Sequence, residues 1–414
     1  MKFLLTILFI SIIGGQLLRV PLFDRIGLIP TDILVFIIIG VFIFIKIFRK
    51  EKIFSKELLL PTIAFFSWAL FSLIFNIAEL SLSFSEGFLA FAYYGRYLGY
   101  FLLIFVFSDQ LKKEGVNYWK YLLFLSALAL AVLGFLQLKY FPSFYDLRMQ
   151  EIGWDPHIGR LLSTWFDPNF LGGYFAFILS LLGGHLWGQW KNEKTNLIFF
   201  ILSGIFLFIL IALFLTYSRS SYLALLIAGL VFALFAERRL FIVGIFGIIL
   251  LLSFSPRAQE RVSNALISAQ ALFTQTERTL DPTSRLRIKS WQVGWNILKN
   301  NPITGVGFNN LKTVQKREWS FLTKSHAGSG IDSSILTVMA TTGVVGLFSF
   351  LWIWGIIGVK SIRNFIKHKD GFSIGFFAGL MGIFIHSFFV NTLFFNLFLP
   401  VLFLSSAIII KENF

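Results

Sequence analysis

The sequence contains no cysteine and few charged residues. Among its 414 residues, Asp, Glu, Lys and Arg together make up only 14%. The absence of Cys excludes disulfides, thiolate nucleophiles and thiolate metal sites. Because about a quarter of an ordinary globular sequence is charged, this scarcity of charge argues against a soluble domain.

Nucleotide-binding and metal-binding motifs are also missing. The segment GVGFNN, residues 305–310, has neither the following Lys nor the strand and helix context of a phosphate-binding loop. No cluster of His and Glu has the spacing of zinc ligands. We therefore expect no cofactor and no metal, and an enzyme of this sequence would take its energy from the substrate.

Long apolar runs fill the chain instead. The sequence is 57% hydrophobic, with 53 Phe, and its mean hydropathy is +0.78. A bilayer core of about 30 Å requires roughly 20 apolar residues per helix. Twelve runs approach or meet this length: 3–18, 30–48, 57–78, 86–108, 118–138, 168–188, 196–216, 220–236, 239–254, 344–362, 372–390 and 393–410.

These runs predict an all-α integral membrane protein with about twelve transmembrane helices, the first of which is retained rather than cleaved as a signal peptide. The predicted organisation has three parts. Residues 1–254 form nine transmembrane helices with an external loop near 139–167, residues 255–343 form a large external loop domain, and residues 344–414 form three further helices.

The placement of Lys and Arg predicts the orientation in the bilayer. With the N-terminus inside, the inner segments hold eighteen of these residues and the short outer loops hold three. This split places both termini in the cytoplasm. The cytoplasmic charges are scattered over short loops, which argues against nucleic-acid binding.

The long outer segment 255–330 is strongly basic. It carries eleven Lys and Arg against four Asp and Glu, a net charge of +7. Such a surface favours an anionic ligand, and phosphate fits because Arg binds its oxygens in a bidentate way. The alternative is a translocated loop that is basic without a ligand.

Three polar residues within or beside the apolar runs are candidates for function, since charge in lipid is costly. Arg96 lies inside a span, where it meets a carboxylate from another helix or faces a polar cavity. Arg219, in TYSRSS, either snorkels to the interface or belongs to a hydrogen-bonded pocket. His386 is more typical of helix packing. No intramembrane acid pair or Asp/His relay is evident, which argues against an ion-coupled pump.

Four segments predicted to face outside resemble the bacterial O-antigen ligases and O-antigen polymerases. They are GRLLSTWFDPNFLGGY (159–174), TYSRSSYLALL (216–226), SRLRIKSWQVGWNILKNNPITGVGFNN (284–310) and KSHAGSGIDSSILTVMATTGVVGL (324–347). The first resembles the family pattern Arg…Phe-x-x-Pro-Asn, and the second and third match Thr-x-Ser-Arg and Arg-x-x-x-Trp…Asn-x-Pro…Gly-x-Gly. The last follows His-Asn-x-x-Leu…Gly-x-x-Gly from its Leu onward and departs from it at the His. The resemblance covers the topology and roughly residues 155–350.

The resemblance implies a class C type of glycosyltransferase in the bacterial cytoplasmic membrane, with its active site on the periplasmic face. Such proteins transfer a glycan from undecaprenyl diphosphate to an acceptor hydroxyl, which lies on lipid A–core for a ligase and on another lipid-linked glycan for a polymerase. By resemblance, Arg219 and Arg287 would hold the donor diphosphate, with Arg285 and Arg160 as further candidates. Asn169 belongs to the first motif.

Helical spacing gives an independent prediction for the third segment. The stretch DPTSRLRIKSWQVGWNILKNNP, residues 281–302, reads as a helix that Thr283 or Ser284 caps and whose end Pro302 follows. Trp291, Trp295 and Leu298 would share one apolar face. Arg287, four residues before Trp291, would point along that face toward the membrane, whereas Arg285 fits the solvated side.

Two residues compete for the role of general base. Counting back from Gly343 and Gly346 places Asp332 at the position of the family's His, and His326 lies six residues upstream. A carboxylate is a weaker base than imidazole at neutral pH. Asp332 has the alternative role of capping the following helix, and His326 that of an exposed loop residue. At the level of the whole chain, a transporter or flippase of lipid-linked sugars and a membrane scaffold are the alternative functions.

Overall fold

The computed structural model describes residues 1–23, 26–52, 56–239, 282–318 and 330–411, with isolated positions at 242, 256, 259, 260 and 263. This described part is largely helical. Its α-helices are α1 (Lys2–Gly14), α2 (Pro30–Phe48), α3 (Lys56–Glu79), α4 (Phe84–Glu114), α5 (Asn117–Tyr140), α6 (Pro168–Lys191), α7 (Leu197–Leu215), α8 (Arg219–Phe235), α9 (Pro282–Asn300), α10 (Leu311–Glu318), α11 (Ser334–His368), α12 (Gly371–His386) and α13 (Leu399–Lys411). One short antiparallel hairpin, β1 (Val20–Phe23) and β2 (Ile26–Leu28), joins α1 to α2.

Seven helices of the described part are long and apolar enough to cross a membrane: α2, α3, α4, α5, α6, α7 and α11. Four shorter apolar helices, α1, α8, α12 and α13, coincide with the first, eighth, eleventh and twelfth predicted spans. The ninth predicted span, 239–254, lies almost wholly outside the described residues. The prediction of an all-α membrane protein is confirmed, while the number of crossings stays a prediction.

Ion pairs gather at one end of the helix bundle. Lys46 lies 2.5 Å from Asp109 and 2.7 Å from Glu51, joining the carboxyl ends of α2 and α4. Further pairs at helix ends are Lys2 with Glu114, Lys360 with Glu57 and Lys191 with Glu237. These are the ends for which the Lys and Arg pattern predicts a cytoplasmic location.

The helices approach most closely where α12 packs between α6 and α8. A Cβ atom on Gly184 of α6 would lie 2.7 Å from the Cα atom of Gly375 on α12. Small residues at such crossings allow two backbones to touch in a membrane, where packing rather than hydrophobic burial drives association. This contact fixes α12, and with it His386, against α6.

Helix α11 is broken at Gly343, which has a φ of 68°. The helix begins at Ser334, ten residues earlier than the predicted span, and the break allows its first turns to leave the axis of the rest. Carbonyls released by the break find other donors: the Val306 N–H bonds to the Ala340 oxygen at 2.9 Å, and Trp68 Nε1 to the Thr342 oxygen at 2.8 Å. The Asn-x-Pro…Gly-x-Gly turn is therefore docked on the broken helix.

We expect Gly343→Ala to lower the thermal stability of the protein by several degrees. A side chain here meets a strained positive φ, which costs about 1–3 kcal/mol, and it would overlap the carbonyl of Ile303. Gly355→Ala on the same helix is the matched control, because its Cβ meets no atom within 4 Å. Thermal melting in detergent checks the difference, and equal melting temperatures for the two variants would contradict it.

Candidate functional site

The buried Arg160 holds the turn that precedes α8. Arg160 Nε donates to the Thr216 carbonyl at 2.8 Å, and its Nη2 donates to the Tyr217 carbonyl at 3.3 Å. Ser218 Oγ donates to Asn169 Oδ1 at 3.0 Å. Arg160 is 9% exposed, so these contacts identify it, together with Asn169, as a residue that positions the turn.

The turn presents Arg219 as the first residue of α8. Arg219 Nη2 lies 3.3 Å from Ser284 Oγ, in the first turn of α9. Arg219 is partly buried and Ser284 is buried. This contact joins the membrane helix α8 to α9, the helix that carries the other predicted arginine.

One face of α9 carries Ser284, Arg287 and Trp291, spaced three and four residues apart. Arg287 is partly buried and its Nε is shielded from solvent. The Trp291 ring packs 5.6 Å from that of Phe389. Arg287 therefore lies on the partly buried face of α9, and its predicted direction toward the membrane stays a prediction.

Two predictions about α9 are wrong, one for the position of Trp295 and one for the residue that caps the helix. Trp295 is 49% exposed and does not share the face of Trp291. Because Ile331 packs against Gly294, the buried residues of α9 are Val293 and Ile297 instead. Helix α9 begins at Pro282, so Ser284 lies within the first turn rather than capping it. Arg285 is exposed, as its predicted solvated position requires.

Asp332 lies against α9 at the start of α11. Its backbone N–H donates to Ser290 Oγ at 3.1 Å, and its carbonyl accepts from Trp291 Nε1 at 3.2 Å. The side chain that caps α11 is that of Ser333, whose Oγ accepts from the Leu336 N–H at 3.2 Å. The alternative that Asp332 caps the helix is therefore wrong, because the next residue occupies that role.

His386 is fully buried between three helices. Its Nε2 lies 3.3 Å from Ser221 Oγ and its Nδ1 lies 2.7 Å from Thr392 Oγ1. A Cβ atom on Gly173 would come within 2.8 Å of the ring. These contacts favour the helix-packing interpretation of His386. His326 lies outside the described residues.

Arg96 lies apart from this cluster, in an ion pair with the buried Asp32. Its Nε and Nη2 bond to the two carboxylate oxygens of Asp32 at 2.8 and 3.1 Å, and Tyr100 donates to Asp32 at 2.7 Å. Arg96 also lines a cavity of about 410 Å³. Both predicted alternatives for Arg96 therefore hold, but sequence analysis missed Asp32. The sequence feature that could have identified Asp32 is its position as an isolated carboxylate, two residues inside the apolar run 30–48.

The predicted residues thus fall into two groups. Arg219, Arg287 and Asp332 come from α8, α9 and the start of α11, and all three contact or belong to one face of α9. Arg160, Asn169 and His386 form the second group, which contacts the turn before α8 and the first turn of that helix. Within the described residues no three His, Asp or Glu side chains converge as a metal-ligand set.

Fold and site together define a polytopic helical membrane protein with a cluster of arginines around one face of α9. The family model described as O-antigen ligase, Wzy_C, matches residues 204–351. This segment includes Arg219, Arg287 and Asp332, and its match confirms the predicted resemblance to the O-antigen ligases. No curated protein matches the sequence. The match supports a glycan-transfer role in O-antigen processing.

Proposed function

We propose that this protein transfers a glycan from undecaprenyl diphosphate to an acceptor hydroxyl at the periplasmic face of the bacterial cytoplasmic membrane. In this proposal it is a class C type of glycosyltransferase with both termini in the cytoplasm. The donor binds at Arg219 and Arg287, and the acceptor approaches from the side of Asp332. The family match favours this function over transport of lipid-linked sugars.

One observation carries the proposal: Arg219 and the backbone of Asp332 contact the face of α9 that carries Arg287. Arg219 reaches the first turn of that helix, Arg287 lies one turn further, and Asp332 contacts the next turn. Partial burial at each position strengthens electrostatic interactions relative to bulk water. A diphosphate bound here would be in reach of groups that match its charge.

The chemistry follows from these groups. The acceptor oxygen attacks the anomeric carbon of the donor sugar, and the bond from that carbon to the diphosphate oxygen breaks. Undecaprenyl diphosphate leaves with the bonding electron pair, and its growing negative charge is stabilised by the guanidinium groups of Arg219 and Arg287. The Asp332 carboxylate accepts the proton that the acceptor hydroxyl loses.

In this scheme arginines, and no metal, balance the charge of the leaving group. We therefore expect transfer to proceed undiminished in excess EDTA. The test is reconstitution of the purified protein in nanodiscs with the lipid-diphosphate-linked glycan and, in separate reactions, lipid A–core or a second lipid-linked glycan. The acceptor that yields product distinguishes ligase from polymerase.

Two results would contradict this proposal. The first is the absence of product with either acceptor, beside a working control transferase in the same nanodiscs. The second is activity that EDTA abolishes and a divalent cation restores. An EDTA effect of less than twofold is the expected outcome.

A further inference from the structure

The cavity beside Arg96 is an elongated site distinct from the arginine cluster. Its volume of about 410 Å³ falls in the range of about 300–1,000 Å³ typical of small-molecule sites. One face of α4 lines it from Glu86 to Tyr100, a rise of about 21 Å along the helix axis. Phe308, Lys312 and Thr337 form parts of the opposite wall.

The charges of this cavity are largely neutralised within the chain. Arg96 is paired with Asp32 at the inner end, and Glu86 is paired with Arg317 Nη2 at 3.2 Å near the opening. Among the described lining residues, Lys312 is the charged group outside these two pairs. A cavity whose described lining is nearly neutral suits an uncharged polar ligand better than a diphosphate, which needs several cationic donors.

Aromatic rings and side-chain amides contribute to the remaining surface, together with aliphatic and Thr side chains. The rings of Tyr97 and Phe394 lie 4.9 Å apart, and Phe308 packs 5.9 Å from Tyr97. Asn391 donates through Nδ2 to the Ile331 carbonyl at 2.9 Å, while its buried Oδ1 has no hydrogen-bond partner among the described residues. Apolar faces with a few fixed polar groups are the composition of a specific ligand site.

We infer that this cavity binds the acceptor glycan. A sugar presents C–H faces that pack on aromatic rings and hydroxyl edges that bond to amide oxygens, and both kinds of surface line this cavity. Its size suits a mono- or disaccharide at the end of a longer chain. The ion pair of Asp32 and Arg96 at its inner end makes it a poor site for a hydrocarbon chain.

The position of the cavity fits that role. Gly330 lines it, Ile331 is bonded to Asn391, and Asp332 contacts α9 on the side of the arginine cluster. Residues 330–332 thus separate the two sites. An acceptor hydroxyl at this wall would lie beside the proposed base, facing the donor. The inference rests on the proposed function, since the acceptor is the second substrate of the same transfer.

Direct binding tests the inference without requiring turnover. The probes are the core oligosaccharide released by mild acid from the lipopolysaccharide of the source bacterium, and the repeat-unit glycan released from the lipid-linked donor. Calorimetry with the full chain in nanodiscs measures both, in parallel with undecaprenyl diphosphate. We expect one glycan to bind, and Tyr93→Leu and Lys312→Gln to raise its Kd about fivefold or more.

The controls separate this site from the arginine cluster. Tyr140→Leu removes an exposed ring outside the cavity and should leave the glycan Kd unchanged. Tyr93→Leu should leave the Kd of undecaprenyl diphosphate unchanged. Arg219→Gln should weaken undecaprenyl diphosphate but not the glycan.

Three outcomes would overturn the inference. One is that neither glycan binds the wild-type protein at millimolar concentration. Another is that a glycan binds equally well to both cavity variants. The last is that undecaprenol displaces the glycan and is itself weakened by Tyr93→Leu, which would make this a lipid-chain site. Failure of undecaprenyl diphosphate to bind would instead count against the proposed function.

Discussion

Replacing Arg287 with Gln is expected to lower the rate of glycan transfer at least a hundredfold, and Arg219→Gln is expected to do the same. Removing one preorganised donor from the charge that develops in a transition state typically costs a factor of about 10²–10³ in rate. Both residues are partly buried at the same face of α9, where electrostatic interactions are stronger than in bulk water. Initial rates at saturating donor measure the effect.

The matched control for this prediction is Lys289→Gln. It removes the same charge from an exposed position on the same helix, two residues from Arg287, and should change the rate less than twofold. Arg287→Lys should fall between Gln and wild type, because an ammonium keeps the charge but loses bidentate bonding. Wild-type rates in Arg287→Gln would refute a role in the transition state.

Asp332→Asn is expected to lower the transfer rate by a factor of about 10²–10⁴, the usual contribution of a positioned general base. The substitution preserves shape, and the observed contacts of Asp332 with Ser290 and Trp291 are made by its backbone. Because Ser333 caps α11, the variant should keep its fold and its affinity for undecaprenyl diphosphate. The loss should therefore appear in kcat.

Asp332→His supplies the rescue test. Histidine stands at this register in the resembling ligases and is the stronger base at neutral pH, so this variant should retain far more activity than Asp332→Asn. Asp146→Asn is the control, because it replaces an exposed carboxylate by an amide in the segment near 139–167. It should behave as wild type. Full activity in Asp332→Asn would remove Asp332 from the chemistry and direct attention to His326.

Local patterns in the sequence predicted much of the fold because each is set within a few residues. Apolar runs near 20 residues gave most of the transmembrane helices. The four-residue spacing from Arg287 to Trp291 placed that arginine on the inner face of α9. The same reasoning failed for Trp295, since the contact of Ile331 with Gly294, over thirty residues apart in sequence, rotates the buried stripe.

Other features of the site depend on contacts that no local pattern encodes. Asp32 and Arg96 lie on different helices, and their pairing follows from how α2 packs against α4. The bond from Arg219 to Ser284 spans 65 residues of sequence. The predicted cap of α11, Asp332, is one position away from the observed cap, Ser333. The sequence could not distinguish them because Asp and Ser are both good caps.

The affinity for undecaprenyl diphosphate tests the central claim most directly. It should be measured for the wild type, Arg219→Gln, Arg287→Gln, their double variant and Lys289→Gln. Charge-assisted hydrogen bonds contribute about 1.5–3 kcal/mol each, so each Arg variant should raise Kd by about tenfold or more, with Lys289→Gln unchanged. The double variant should lose less than the product of the two single effects, since both groups hold one ligand. An unchanged Kd in both Arg variants would contradict the claim.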